Sequence, residues 1–317
     1  MNYEGVLPVH KPAGFTSHDV VAKLRRIVGM KRIGHTGTLD PQVTGVLPLC
    51  LGRATRFVEY IQELPKQYEA ELTFGISTDT EDWTGETIER LEPGSIKLSE
   101  TEVRSALDSF TGTIDQIPPM YSAVKVGGKK LYELAREGKE IERKSRKVDI
   151  YKMETLALDL ETDYPKVRFR VLCSKGTYIR TLCVDIGKAL GYPAVMTQLV
   201  RSSTGSITLD GCFTLEQIEE KHRSGELSSL LIPADRLVTQ LPSVTVTTSG
   251  ARHAAQGKSL PIPDGPLHSQ PDELVKVYDP DGVFIGIFKA DGESGMLRPE
   301  KVFASQVQAS AQVAGEN

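Results

Sequence analysis

Residues 166–190, KVRFRVLCSKGTYIRTLCVDIGKAL, change their apolar periodicity once, and that change sets the fold class. Val167, Phe169, Val171 and Cys173 alternate with Lys166, Arg168 and Arg170, the period of two that marks a half-buried strand. After the turn SKGT, Ile179, Leu182, Cys183, Ile186 and Leu190 recur at helical spacing, and Gly191 closes the helix. Arg180 therefore opens a helix close to the end of the preceding strand.

The same mixture extends outward. Residues 17–28 read as a helix: Ser17 can cap it, Asp19 suits its first turn, Val20, Leu24, Ile27 and Val28 share a face, and Gly29 stops it. A second helix is predicted over residues 54–61 with Phe57, Val58 and Ile61 inward, and a third over KKLYELAR, residues 129–136. QYEAELTFG, residues 67–75, alternates through Tyr68, Ala70, Leu72 and Phe74 and reads as a strand. The acidic stretch STDTEDWTG lacks the glycine and closing glutamate placement of a calcium loop and reads as an exposed loop. Beyond about Leu230 the text turns to short β segments, SVTVTT and then LVKVYDPDGVFIGIFKA, whose DPDG reads as a hairpin loop. The prediction is an α+β catalytic domain over residues 1–230, built on a mixed, mainly antiparallel sheet. A small C-terminal β domain follows over 231–305, and residues 306–317 form a tail too poor in apolar residues to pack.

The 317 residues suffice for a sizeable core, and 39% hydrophobic with 25% charged residues is ordinary globular composition. Apolar runs are too short to span a bilayer, and the N-terminus lacks a basic segment followed by an apolar one, so a cytoplasmic protein is expected. The cysteines Cys50, Cys173, Cys183 and Cys212 are scattered, and the six histidines show no zinc spacing, so no metal is expected. A net charge of −4 argues at first against nucleic acid, but it is unevenly distributed. Residues 1–56 carry +5, 57–119 carry −10, 120–150 carry +4, 151–204 carry +3 and 205–317 carry −6. A positive groove on an acidic body is compatible with this pattern.

One stretch calls for a chemical reason. GHTGTLDPQVTG, residues 34–45, sets Asp40 among three glycines, three threonines and a proline. Asp before Pro favours extended backbone and a structural turn, whereas the glycines admit close approach of a partner. The order does not match a phosphate-binding P-loop, which makes nucleotide hydrolysis a poor fit.

GHTGTLDPQVTGVLPLCLGRATR closely resembles the catalytic motif of the TruB family of tRNA pseudouridine synthases. KPAGFTSHDV, the stretch from Tyr68 through GISTDTEDWTG, QIPPMYSAVKVGGKKLYELAREG and CSKGTYIRTL resemble further blocks of that family, in its order, over residues 7–204. The resemblance implies isomerisation of uridine to pseudouridine at position 55 in the tRNA T-loop, on a base turned out of its stack. It implies Asp40 as nucleophile, Arg180 as its partner through two parallel hydrogen bonds, and Tyr68 against the target base. It places Tyr178 in the same pocket, His35 in the space left by the flipped base and Leu199 on the pocket wall. The implied partner is the T-arm of tRNA, with no cofactor, no metal, no membrane and no obligatory protein partner, and the chain acting as a monomer. The small C-terminal domain is expected to be PUA-like, although residues 205–317 together carry −6, which is unusual for gripping RNA. Two alternatives remain open: a guide-RNA-dependent synthase of the related branch, and a tRNA-folding chaperone. A pure binder has no use for a carboxylate facing phosphate-rich RNA, so Asp40 separates catalysis from simple binding.

Overall fold

The computed structural model describes residues 2–262 and 272–303. In chain order the first part comprises β1 (Gly5–Lys11), α1 (Ser17–Val28), β2 (Ile33–His35), β3 (Thr44–Leu51), α2 (Val58–Gln62), β4 (Lys66–Phe74), the β5–β6 hairpin (Ile76–Thr78, Thr87–Arg90) and α3 (Glu100–Ser109). There follow β7 (Gly112–Gln116), the small β8–β9 hairpin (Lys125–Val126, Lys129–Lys130), α4 (Leu131–Arg136), β10 (Arg146–Asp159), β11 (Lys166–Cys173), α5 (Ile179–Ala189), β12 (Ala194–Thr204) and β13 (Ile207–Thr208). Last come α6 (Leu215–Arg223), α7 (Ala234–Leu237), β14 (Ser243–Thr245), α8 (Thr248–Ala255), β15 (Leu260–Pro261), β16 (Leu274–Tyr278), β17 (Phe284–Asp291) and β18 (Met296–Val302).

The large sheet runs β1-β3-β12-β4-β11-β10-β7, with β2 and β13 joining β3 and β12. Only the β12–β3 pairing is parallel; the rest are antiparallel, as the alternation of β4 and β11 led us to expect. Tyr68, Ala70, Leu72 and Phe74 of β4 and Val167, Phe169, Val171 and Cys173 of β11 bury one face against Ile179, Leu182, Cys183 and Ile186 of α5 and Val103 and Leu107 of α3. Burial of these side chains, at about 1.5–3 kcal/mol each, is what fixes α5 and hence Arg180 over the sheet. A second sheet, β14-β16-β17-β18-β15, carries the DPDG hairpin between β16 and β17. It packs on the first part through Phe57, Phe284 and Phe303, whose ring centroids lie 4.9–5.6 Å apart, with the Arg56 guanidinium 4.8 Å from the Phe303 ring centroid. Ile232 exchanges two backbone hydrogen bonds with Val6, and Ala234, Leu237 and Val238 share that core.

Several local expectations change. The cap of α1 is Thr16 rather than Ser17: Thr16 and Asp19 form a reciprocal capping box, while the buried Ser17 hydroxyl accepts from Leu39 N at 2.9 Å. Residues 54–61 divide into a 3₁₀ turn over Gly52–Phe57 and the short α2. Lys129 and Lys130 lie in β9, so α4 begins only at Leu131. STDTEDWTG is held between the strands of the β5–β6 hairpin, and its Asp82 is drawn inward. The small C-terminal β part also contains a helix that the sequence reading did not give, α8, capped by Thr247. The predicted tail, 306–317, lies outside the described residues. Among the described residues no helix is long and apolar enough to cross a membrane.

Candidate active site

The β2–β3 loop, the start of β4, the β5–β6 turn, the segment after β7, α4, the β11–α5 junction and β12 all contribute to one cavity of about 830 Å³. That volume lies within the usual range for sites that enclose a small ligand, about 300–1,000 Å³. Asp40 sits on the β2–β3 loop, whose turn is closed by Val43 N donating to Asp40 O at 3.1 Å. Its side chain is 42% exposed toward the cavity, while Arg180 beside it is 5% exposed.

The two groups approach most closely through Nε. Arg180 Nε lies 3.0 Å from Asp40 Oδ2, and Nη1 and Nη2 donate to the carbonyls of Thr80 (2.7 Å) and Tyr121 (2.9 Å). The two parallel hydrogen bonds expected from sequence are therefore absent, because the outer nitrogens serve to anchor the guanidinium. A second carboxylate, Asp82 Oδ2, lies 3.8 Å from the same Nε. Asp82 is itself held by Thr84 N (2.9 Å) and by the hydroxyls of Thr80 (2.9 Å) and Thr84 (2.5 Å). Beside it Glu81, in the left-handed region at φ 64°, accepts from Thr181 Oγ1 at 2.5 Å, tying the turn to the first turn of α5.

Burial pushes the Asp40 carboxyl above the ordinary carboxylate range, and Asp82 adds to this; Arg180 and Lys11 pull it back toward the charged form. Lys11 is fully buried and donates from Nζ to Pro12 O and Pro41 O, each at 2.9 Å, so its charge lies directly beneath the loop. Burial lowers its ammonium to about 8, and does the same to Lys66, whose Nζ donates to Leu64 O at 2.7 Å and to Gln62 O.

Tyr68, Tyr178 and Leu199 line the same cavity as Asp40 and Arg180. Tyr68 is buried in the β4 face, and burial raises its hydroxyl pKa. Tyr178 caps α5, its backbone clamped by Gln116 through N–Oε1 (2.7 Å) and Nε2–O (3.0 Å), and burial raises its hydroxyl likewise. His35 stands elsewhere. It lies behind the loop, outside the residues lining the cavity, with Nδ1 accepting from Gly37 N at 3.3 Å and its ring edge-on to His18 at 5.2 Å. Burial takes the His35 imidazole down to about 4.

Sequence reasoning missed Asp82 and gave Lys11 no role of its own. The only signals were acidity in a stretch read as solvated and a lysine at the head of KPAG. Among the described residues no cluster of three or more His, Cys, Asp or Glu side chains is arranged to hold a metal. The arrangement offers a carboxylate kept ionisable by a buried cation, facing a space walled by two tyrosines and a leucine. Such a site suits nucleophilic attack on a planar ring system.

Comparison with known proteins identifies the family. Residues 25–179 match the family described as TruB family pseudouridylate synthase (N terminal domain), and residues 180–239 match the tRNA pseudouridylate synthase B C-terminal domain. The chain is 47% identical over 306 residues to tRNA pseudouridine synthase B of Bacillus pumilus (strain SAFR-032), covering 96% of this chain and 99% of that protein. It is 45% identical to tRNA pseudouridine synthase B of Bacillus subtilis (strain 168), over 94% of this chain and 97% of that one. Among solved structures, a crystal structure of a Cbf5-Nop10-Gar1 complex superposes with a TM-score of 0.74 at 27% identity, covering 94% of this chain and 84% of that chain.

Proposed function

Because the chain belongs to the TruB family of pseudouridylate synthases, we propose that it modifies uridine 55 of the tRNA T-loop with Asp40 as nucleophile. The protein is a tRNA pseudouridine synthase, an isomerase that converts uridine to pseudouridine. In the reaction the N1–C1′ bond breaks, the uracil rotates, C5 bonds to C1′, the C5 proton leaves and N1 is protonated. The observation that carries the residue assignment is the Asp40–Arg180 pair, 3.0 Å apart, in a cavity walled by Tyr68 and Tyr178.

In this reading Arg180 keeps Asp40 ionised against burial, and its two carbonyl anchors hold the carboxylate in register with the base. Tyr68 lies against the flipped ring, with its hydroxyl toward the carbon that must lose a proton, and Tyr178 and Leu199 close the pocket. His35, hydrogen-bonded to the loop backbone at Gly37 N, is the residue that would fill the space the flipped base leaves in the RNA. The substrate is the T-arm, and residues 1–230 form the catalytic unit, with 231–305 as a PUA-like accessory to RNA binding. The chain acts as a monomer without guide RNA, cofactor or metal.

The test is to incubate the purified chain with unmodified tRNA transcript and map pseudouridine by position. Wild type is expected to modify position 55 with nothing added. Asp40→Asn keeps the side-chain volume, removes the nucleophile and a charge that repels phosphate, and is expected to bind tRNA as well as wild type with no turnover. Turnover by that variant would remove Asp40 from the role, and modification elsewhere would overturn the position.

A further inference from the structure

The largest fully buried side chain among the described residues is a charged one, Arg201 of β12, 1% exposed. Isolated buried cations are costly, by several kcal/mol even after relaxation, so a guanidinium in this position needs partners. Its partners are informative. Nε donates to Val46 O at 2.6 Å and Nη2 to Gly37 O at 3.2 Å, which are residues on either side of the loop that carries Asp40. On the other side Arg201 pairs in register with Tyr68 across β12–β4, which sets the two side chains next to each other on one face of the sheet, and both line the cavity.

The backbone reinforces this contact. Arg201 pairs with Gly45 in the one parallel pairing of the sheet, and a Cβ on Gly45 would stand 2.2 Å from Arg201 O. Only glycine allows the two strands to approach so closely there, at φ 114°. The β3 end of the loop is thus pressed onto β12 at the residue whose side chain reaches the other end.

We propose that Arg201 is a positioning residue that locks the Asp40 loop and Tyr68 into one rigid unit, so that nucleophile and ring-facing hydroxyl keep a fixed separation during turnover. The inference rests on the assignment of Asp40 and Tyr68 made above. A displacement of the loop by about 1 Å is enough to cost on the order of 100-fold in rate when reacting groups must stay aligned. Arg201 and Gly37 also line the cavity, so tRNA affinity is measured beside the rate, and a positioning role predicts that the rate falls far more than the affinity.

The experiment uses the full chain and unmodified tRNA, with Arg201→Lys, Arg201→Met and Gly37→Val. Lysine retains the charge but reaches one acceptor at most, and methionine reaches none. Gly37→Val retains Arg201: its Cβ, 3.4 Å from Nη1, points at the guanidinium, and the added methyls push it off the loop, at a backbone angle that valine tolerates. Single-turnover rates at saturating enzyme are expected to fall about 10-fold for Arg201→Lys and Gly37→Val and about 100-fold for Arg201→Met, with tRNA Kd within about threefold of wild type. If Arg201→Met does not fold, the other two variants decide. In a double-mutant cycle, Tyr68→Phe with Arg201→Lys should lose less than the two single losses combined, because both disturb one unit.

Folded Arg201→Lys and Gly37→Val enzymes turning over within twofold of wild type overturn the proposal, as do losses that track only the unfolded fraction or strict additivity in the cycle. Asp40→Asn run alongside separates the two readings. If it is inactive while the Arg201 and Gly37 variants are unimpaired, only the positioning role fails; if it is active, the nucleophile assignment fails.

Discussion

Replacing Arg180 with lysine tests the central pair most sharply, because the structure gives each guanidinium nitrogen a separate duty. Nε faces Asp40, while Nη1 and Nη2 hold the carbonyls of Thr80 and Tyr121. An ammonium on an unbranched stem is a point charge that cannot occupy three sites set by a planar fork. If it stays with Asp40, both carbonyls lose a charge-assisted donor; if it takes a carbonyl, Asp40 loses its cation. Each hydrogen bond to a charged group contributes about 1.5–3 kcal/mol. If half of the loss of two such bonds falls on the chemical step, the barrier rises by about 1.5–3 kcal/mol, or about 10- to 100-fold in rate.

The assay is single-turnover pseudouridine formation at saturating enzyme, with tRNA affinity measured in parallel and folding checked by circular dichroism. Affinity should change little, since Arg180 is 5% exposed and its donors are already engaged. Arg180→Met adds a pH signature. With the guanidinium gone, burial and Asp82 act on Asp40 against Lys11 alone, so its carboxyl rises further and the acid limb of the rate moves to higher pH. Stability moves in the other sense: a carboxyl raised in the folded state contributes stability below its unfolded pKa, and this contribution is lost as pH rises through the folded value. An Arg180→Lys enzyme within twofold of the wild-type rate would refute the division of duties, as would an Arg180→Met acid limb that does not move.

Two further outcomes follow from burial. Tyr68→Phe is expected to fold and bind tRNA normally, whereas Tyr68→Ala, emptying a core position beside Leu39 and Val43, should lose about 3–5 kcal/mol of stability in addition to any base stacking; urea unfolding of the two variants decides, and equal midpoints would place the ring outside the core. Lys66 has a folded pKa of about 8 against 10.5, so its neutral form is favoured on folding, and wild type should gain on Lys66→Met by about 2 kcal/mol between pH 7 and pH 10. A stability difference that stays flat over that range would show that Lys66 is not desolvated.

What could be read from the sequence was whatever is local. The period of two in β4 and β11 and the helical spacing of α5 depend on neighbours within a few residues, so Tyr68, Arg180 and the strand-to-helix junction were found with their element types correct. The α8 helix escaped because TTSGARHAA has few apolar residues, burying only Ala251 and Ala254, and its start depends on one Thr247 cap. Asp82 escaped for a different reason: its inward position depends on an isolated bridge to Met196 and on Arg180, both remote in the chain.

The pairing of Asp40 with Arg180, remote in the chain, came from the family resemblance, and its geometry was not legible at all. Residue chemistry alone favours a two-bond fork between a guanidinium and a carboxylate. That geometry is lost once the β5–β6 turn and the segment after β7 bring two carbonyls to the outer nitrogens, and neither carbonyl has a sequence signature. The consequence is functional. A fork would hold Asp40 by both oxygens, whereas contact through one nitrogen lets Oδ2 lean on the cation while the carboxylate remains 42% exposed to the cavity. The nucleophilic role proposed for Asp40 needs that freedom, which fits Thr80 and Tyr121 engaging the outer guanidinium nitrogens.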